Sequence, residues 1–171
     1  MKLGIISDTH GYFHPAIPTY FDGVDRILHA GDIGETDILE RLEEIAPVQA
    51  VWGNMDGPGV RYRTVEVLRT EVEGVRICMT HIGGSPGRWD SRIAKALAAD
   101  PPDIFICGHS HILRIERVSN PPNMLYLNPG AAGRQGLHRV KTCVLLEVAE
   151  GSARKADVVH LDDKPPQDPS R

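Results

Sequence analysis

Cysteine and aromatic residues are scarce: the 171 residues include three cysteines, and only 5% are Phe, Trp or Tyr. Cys78, Cys107 and Cys143 are an odd number, widely separated, each inside an apolar run, so their spacing fits neither a disulfide framework nor a zinc knuckle. They read as small core residues in a reducing, cytoplasmic compartment. Blocks of Lys and Arg are missing too. With a net charge of −4 and a pI near 6.0, the chain lacks the electrostatic footprint that a nucleic-acid backbone or an anionic membrane surface requires. The apolar run in MKLGIISDTHG is cut by Ser7 and Asp8, too short for a secretory leader or a membrane span. Internal repeats and low-complexity core segments are also lacking.

What is present is an ordinary soluble composition, 41% apolar and 25% charged. The length suits one domain over residues 1–161. The remaining ten, 162–171 (DDKPPQDPSR), are Pro-rich and charged, which predicts a disordered tail.

Short apolar runs punctuate the chain, and many end in a turn-forming or chemically active residue. KLGIIS leads to Asp8, DRILHA to Gly31-Asp32 and PVQAVW to Gly53-Asn54; VRICMT leads to His81 and DIFIC to Gly108-His109. Their length and β-branched content predict buried strands. RTVEVLRT and VRICMT form an expected hairpin, and ILRIERV, NMLYLN, KTCVLLEV and ADVVHL add strands after residue 111. Helices are expected over 36–46, with Thr36 as N-cap and Pro47 as stop, over 90–99, and weakly over 14–21, where Pro15 and Pro18 intrude. The order predicts an α/β fold of two mixed sheets packed face to face, with helices outside.

Five of these strand ends deliver Asp8 and His10, Asp32, Asn54, His81, and His109 with His111. In α/β sheets, active-site groups gather at the carboxyl ends of strands. Residues i and i+2 of an extended chain point the same way, so Asp8/His10 and His109/His111 can each present two ligands to one place. Glycines 11, 31, 53 and 108 allow sharp turns or close approach. Imidazole, carboxylate and amide oxygen together suit Mn, Fe, Zn, Ni or Co better than Ca or Mg. Singly, each of these residues is better explained as a turn or core-edge residue. His29 reads as inward-facing, and His14, His138 and His160 have no partner at ligand spacing. The seven in this order are specific.

The motifs SDTHG, HAGD, GNMD, MTHIGG and CGHSH resemble those of the calcineurin-like metallophosphoesterases, specifically the small cap-less bacterial and archaeal phosphodiesterases. The resemblance runs from Met1 to the NPG turn at 128–130. It implies a four-layer α/β/β/α sandwich of two mixed β-sheets flanked by helices. It also implies a binuclear centre, manganese being the first choice and Ni, Fe, Zn or Co the others. Asp8, His10, Asp32 and His111 would ligate one ion, and Asp32, Asn54, His81 and His109 the other, with Asp32 bridging. The implied activity is hydrolysis of a small phosphodiester by a metal-bridging hydroxide, with Asp32, Asn54 and His81 acting through the metals.

Two departures stand out. Many relatives carry His after the GN, as general acid; this chain has Met55, which reads as a flexible gap-filler under the metal loop. After His81 comes IGGSPGRWD where relatives often have THGH. Arg88 and Trp89 there are candidate substrate contacts, with Trp89 equally an anchor for the next helix. Arg134 and His138, in NPGAAGRQGLHR, are further candidates against the default of a solvated loop. Two other functions compete. A eukaryotic trafficking scaffold of the same fold binds proteins, but the intact set of seven favours an enzyme. A nuclease is disfavoured by the lack of a basic stripe. A homo-oligomer is compatible with the sequence.

Overall fold

The computed structural model describes residues 1–119 and 123–163. In chain order the elements are β1 (Lys2–Ile6), α1 (Ile17–Tyr20), β2 (Arg26–His29), α2 (Thr36–Glu43), β3 (Val48–Ala50), α3 (Pro58–Arg63), β4 (Val67–Val72) and β5 (Val75–Thr80). There follow β6 (Gly84–Ser85), β7 (Arg88–Trp89), α4 (Ser91–Ala99), β8 (Ile104–Ile106), β9 (Arg114–Val118), β10 (Met124–Asn128), β11 (Thr142–Ala149) and β12 (Ser152–His160).

Two five-stranded sheets result, ordered β12-β11-β1-β2-β3 and β4-β5-β8-β10-β9, with β6 and β7 pairing as a separate small hairpin. Both sheets are mixed. In the first, β1, β2 and β3 run parallel and β11 pairs antiparallel to β1. In the second, β5, β8 and β10 run parallel between antiparallel edges β4 and β9.

Alternation along the strands sorts side chains into three apolar layers. Leu3, Ile5, Leu28, Ile77, Met79, Ile104, Ile106, Leu125 and Leu127 fill the space between the sheets. Their neighbours Ile6 and Ile27 face outward onto α1 and α2, through Ile17, Ile38, Leu39 and Leu42. On the far side Cys78, Phe105 and Tyr126 meet Ile93 and Leu97 of α4. This is the four-layer α/β/β/α sandwich. Each fully buried Leu or Ile contributes about 1.5–3 kcal/mol, so the inter-sheet layer and the layer under α1 and α2 both contribute substantially. All three cysteines are free and buried.

Helix ends differ from expectation. Thr36 opens α2 instead of capping it; the N-cap is Glu35, extended and without a side-chain cap bond. Asp90 does cap α4, its carboxylate accepting from the amides of Arg92 and Ile93 at 3.0 and 3.4 Å. The expected helix over 14–21 is shorter, four residues with Pro18 in its first turn. The short helix α3 was not expected; its signal is Pro58 directly after the extended Gly57, a helix-start pattern. Of the expected tail at 162–171, residues 164–171 lie outside the described residues, while Asp162 accepts an ion pair from Lys141 at 3.0 Å.

Candidate metal centre

The three parallel strands of each sheet end at one rim, and the loops there carry the polar side chains picked out in the sequence. They do not carry them as extended chain. Asp8, His10, Asp32, His109 and His111 all have left-handed backbones, with φ between 48° and 65°. The alternation of an extended strand is therefore not what aims these pairs, and tight turns do the aiming. Such conformations cost on the order of 1–3 kcal/mol each and persist only where the surroundings over-determine them. The loops supply that restraint: Asp8 and His10 donate their amides to Gly31 and Asp32, each at 2.9 Å, and Gly108 donates to the His81 carbonyl at 3.1 Å.

The side chains gather in two adjoining groups, Asp8/His10/His111 and Asp32/His81/His109, each with its ligand atoms within 4.8 Å of one another. His109 and His111, two residues apart, thus belong to different groups. In the first, Asp8 Oδ1 lies 3.1 Å from His111 Nε2 and 4.0 Å from His10 Nε2. In the second, Asp32 Oδ2 lies 3.3 Å from His81 Nε2, and also 3.9 Å from His10 Nε2 in the first group. Asp32 therefore faces both. Asn54 is exposed on the Gly53 loop and lines a cavity with His81. Gly53 has to be glycine, since a Cβ there would overlap Asp32 Oδ1.

The second oxygens of both carboxylates are held from behind. Asp8 Oδ2 accepts from the Ser7 hydroxyl at 2.6 Å and the His109 amide at 3.1 Å. Asp32 Oδ1 accepts from the Met55 amide at 2.8 Å. The His81 Nδ1–H donates to the Ala30 carbonyl at 2.8 Å, which turns its Nε2 toward Asp32. Among the described residues, two buried side-chain polar atoms have no hydrogen-bond partner: Asp8 Oδ1 and His81 Nε2. One lies in each group, aimed inward. Buried polar atoms are rarely left unpaired, and imidazole and carboxylate lone pairs converging on a common point are a cation's donor set. The residues present therefore fit divalent metals.

Charge states reflect the crowding. Burial pulls the His10 imidazole below its ordinary value despite Asp32 and Asp8. Burial also pulls His81 down, but the Asp32 carboxylate more than offsets it and the ring ends above its ordinary value. His111 is raised, chiefly by Asp8. Burial would lift the Asp32 carboxyl; the His81 ring and the Met55 amide reverse this and hold it low.

The proposed substrate contacts fare differently. Trp89 packs edge-on against Phe105 at 5.6 Å and Tyr126 at 5.8 Å between ring centroids, so it anchors the β6–β7 hairpin to the core. Arg88 is exposed on β7 and Arg134 is exposed over the Tyr12 ring at 3.9 Å. His138 has both ring nitrogens engaged inside the protein, with His111 and the Gly133 carbonyl. A candidate substrate contact on a loop expected to be solvated, that ring packs behind His111. Met55 is 64% exposed and fills no gap. Asp56 is buried, its carboxylate accepting from the amides of Gly34 and Gly53 at 2.8 and 2.7 Å. Ser7 and the Met55 amide are the supporting groups that the sequence did not single out, although Ser7 lies in SDTHG. His29 is buried between Thr9 and the Gly31 amide, as an inward-facing residue should be.

Two mixed sheets with imidazoles and carboxylates converging at one rim define a metal-binding α/β sandwich. Residues 1–151 match the calcineurin-like phosphoesterase superfamily domain, and the chain belongs to that superfamily. It is 36% identical to a probable metallophosphoesterase of Methanothermobacter thermautotrophicus over 140 residues, 77% of each chain. It is 27% identical to a phosphodiesterase of Methanocaldococcus jannaschii over 146 residues, 76% of this chain and 83% of the relative. The crystal structure of a Vps29 mutant from Entamoeba histolytica has a TM-score of 0.72 at 22% identity, covering 94% of this chain and 99% of that one, a likeness of fold alone.

Proposed function

We propose that this protein is a two-metal phosphodiesterase acting on a small diester, with Asp8, His10, Asp32 and His111 holding one divalent ion, and Asp32, Asn54, His81 and His109 the other. The observation that carries it is Asp32 Oδ2, placed between His81 of one group and His10 of the other. When bound, two such ions lower the pKa of a water and neutralise charge on the phosphoryl oxygens. Manganese is the first choice, ahead of Ni, Fe, Zn and Co.

The chain's own residues hold and shape the site. Ser7 and the His109 amide fix Asp8, the Met55 amide fixes Asp32, and the Ala30 carbonyl fixes His81 with its Nε2 inward. Two cavities flank these groups. One of about 340 Å³ runs from Asn54 and His81 along Val67, Ile82, Ile93 and Ala96. The other, about 260 Å³, runs from His109 and Ser110 to Arg114 and Tyr126. A diester has two ester arms, and two separate cavities beside the His81 and His109 side chains suit it better than a monoester. The apolar walls of the first cavity favour an uncharged, flat arm there.

Among the described residues no helix is long and apolar enough to cross a membrane. A cytoplasmic location is part of the proposal, supported by three buried free thiols. The Vps29 likeness raises the scaffold alternative, and two complete donor groups support the enzyme over it. The test is turnover of an aryl phosphodiester against the matching monoester by apo-protein reconstituted with Mn²⁺. Faster diester turnover is expected. No hydrolysis with any of Mn, Fe, Ni, Zn or Co would overturn the enzyme reading and leave the scaffold.

A further inference from the structure

We infer that His138 is a positioning residue that fixes the ring tautomer of His111 and so keeps the metal-facing nitrogen of that ligand free; this rests on the two-metal reading above. His138 Nε2 lies 3.1 Å from the Gly133 carbonyl oxygen, and its Nδ1 lies 3.2 Å from Nδ1 of His111. A carbonyl only accepts, so Nε2 of His138 carries the proton. In a neutral ring Nδ1 is then bare and can only accept. The hydrogen between the two rings therefore sits on His111 Nδ1, so the neutral His111 ring presents Nε2 as its lone-pair nitrogen. That nitrogen faces Asp8 Oδ1 at 3.1 Å and His10 Nε2 at 3.3 Å. Opposite the Asp8 carboxylate that nitrogen holds either a proton or a metal ion, and a bound ion takes the proton's place.

The two donor groups thus reach the same state by different means. His81 is oriented by a backbone carbonyl, Ala30 O at 2.8 Å. His111 is oriented by another imidazole, which is in turn oriented by a carbonyl. The loop carrying His138 is built for this contact. The His111 and His138 rings meet edge to face, 5.1 Å between centroids at 79°. Gly136 has φ +110°, and a Cβ there would overlap His111 Nδ1 and come within 3.1 Å of His138 Nδ1. The Gly133 amide donates to the Asp8 carbonyl at 3.0 Å, so the group that orients His138 is itself tied to the ligand loop of β1.

The experiment uses full-length apo-protein carrying His138→Ala or His138→Asn. The Asn Oδ1 takes the place of His138 Nδ1 and can accept from His111, so it replaces the contact that fixes the His111 tautomer. Zn²⁺ titration by calorimetry should show one of two binding steps weakened by roughly 10–100-fold in His138→Ala, with the other step unchanged and His138→Asn largely restored. Ring ¹⁵N shifts of wild-type apo-protein should show His111 protonated at Nδ1. A folded His138→Ala protein that binds both ions like the wild type would overturn the inference alone, and so would the Nε2-protonated tautomer of His111. A wild-type protein that binds no Zn²⁺ would overturn the two-metal reading and this inference with it. The tautomer measurement needs no variant, so an unstable His138→Ala does not remove the test.

Discussion

The amide of Met55 donates a 2.8 Å hydrogen bond to Asp32 Oδ1, while its thioether is 64% exposed. The residue supports Asp32 through its backbone and leaves its side chain to solvent. Met55→Ala keeps the amide, so its stability should stay within about 0.5 kcal/mol of wild type in urea unfolding, with Zn²⁺ affinity unchanged.

The same geometry bears on the proton donor. A thioether cannot donate a proton, and the neighbouring Asp56 carboxylate is turned inward onto two amides. Wild-type turnover should therefore fall steeply as the leaving group becomes less acidic, fast for aryl and slow for alkyl diesters. Met55→His should rescue alkyl substrates more than aryl ones, toward the roughly 10²–10⁴-fold that general acid catalysis supplies. The measurement is log(kcat/KM) against leaving-group pKa for both proteins. A flat wild-type plot would mean that another acid operates.

Asp56→Ala should be costly for a structural reason. It strips an ionised acceptor from two loop amides, one of them on Gly53 against Asp32. Hydrogen bonds to charged groups contribute about 1.5–3 kcal/mol each, so a loss of roughly 3 kcal/mol or more is expected in urea unfolding. Unchanged stability would show that the loop is held by other contacts.

Asp32→Ala should remove both ions as a functional pair, because Asp32 Oδ2 faces a histidine of each group. Elemental analysis of metal-loaded wild type should give two ions per chain, one for each donor group. A single ion, or none, would contradict the shared-carboxylate arrangement.

His29 makes stability depend on acid. Burial lowers its pKa from 6.5 to about 4, despite nearby Asp56 and Asp8. Between those values the unfolded chain binds more protons than the folded one, so stability rises with pH and this contribution is complete above 6.5. Falling to pH 4 should remove up to roughly 3 kcal/mol. His29→Asn keeps an acceptor for the Gly31 amide and cannot titrate. Its urea-unfolding free energy should fall less than that of the wild type between pH 6.5 and pH 4.

Much of this arrangement is legible in the residues alone. The apolar runs before Asp8, Asp32, Asn54, His81 and His109 mark strands, because a short, continuous β-branched run buried on both faces is written locally in the chain. The turn residues that follow them mark the strand ends where α/β sites form. The buried cysteines and the helix expected over 90–99 are local signals of the same kind, and the succession of strands and helices points to two sheets. Other features depend on which loops the sheet order brings together. His10 and His111 stand 101 residues apart, yet their Nε2 atoms lie 3.3 Å apart, because β11 returns to pair with β1 and the second sheet stacks on the first. The left-handed turns at five of the candidate ligands, the internal packing of Trp89, the inward turn of Asp56 and the contact of His138 with His111 follow from that stacking. Side-chain chemistry and hydrophobic period act over a few residues, so the sequence determines which groups reach the rim. Which nitrogen faces which oxygen there is decided by contacts between distant loops, which only the folded chain brings into being.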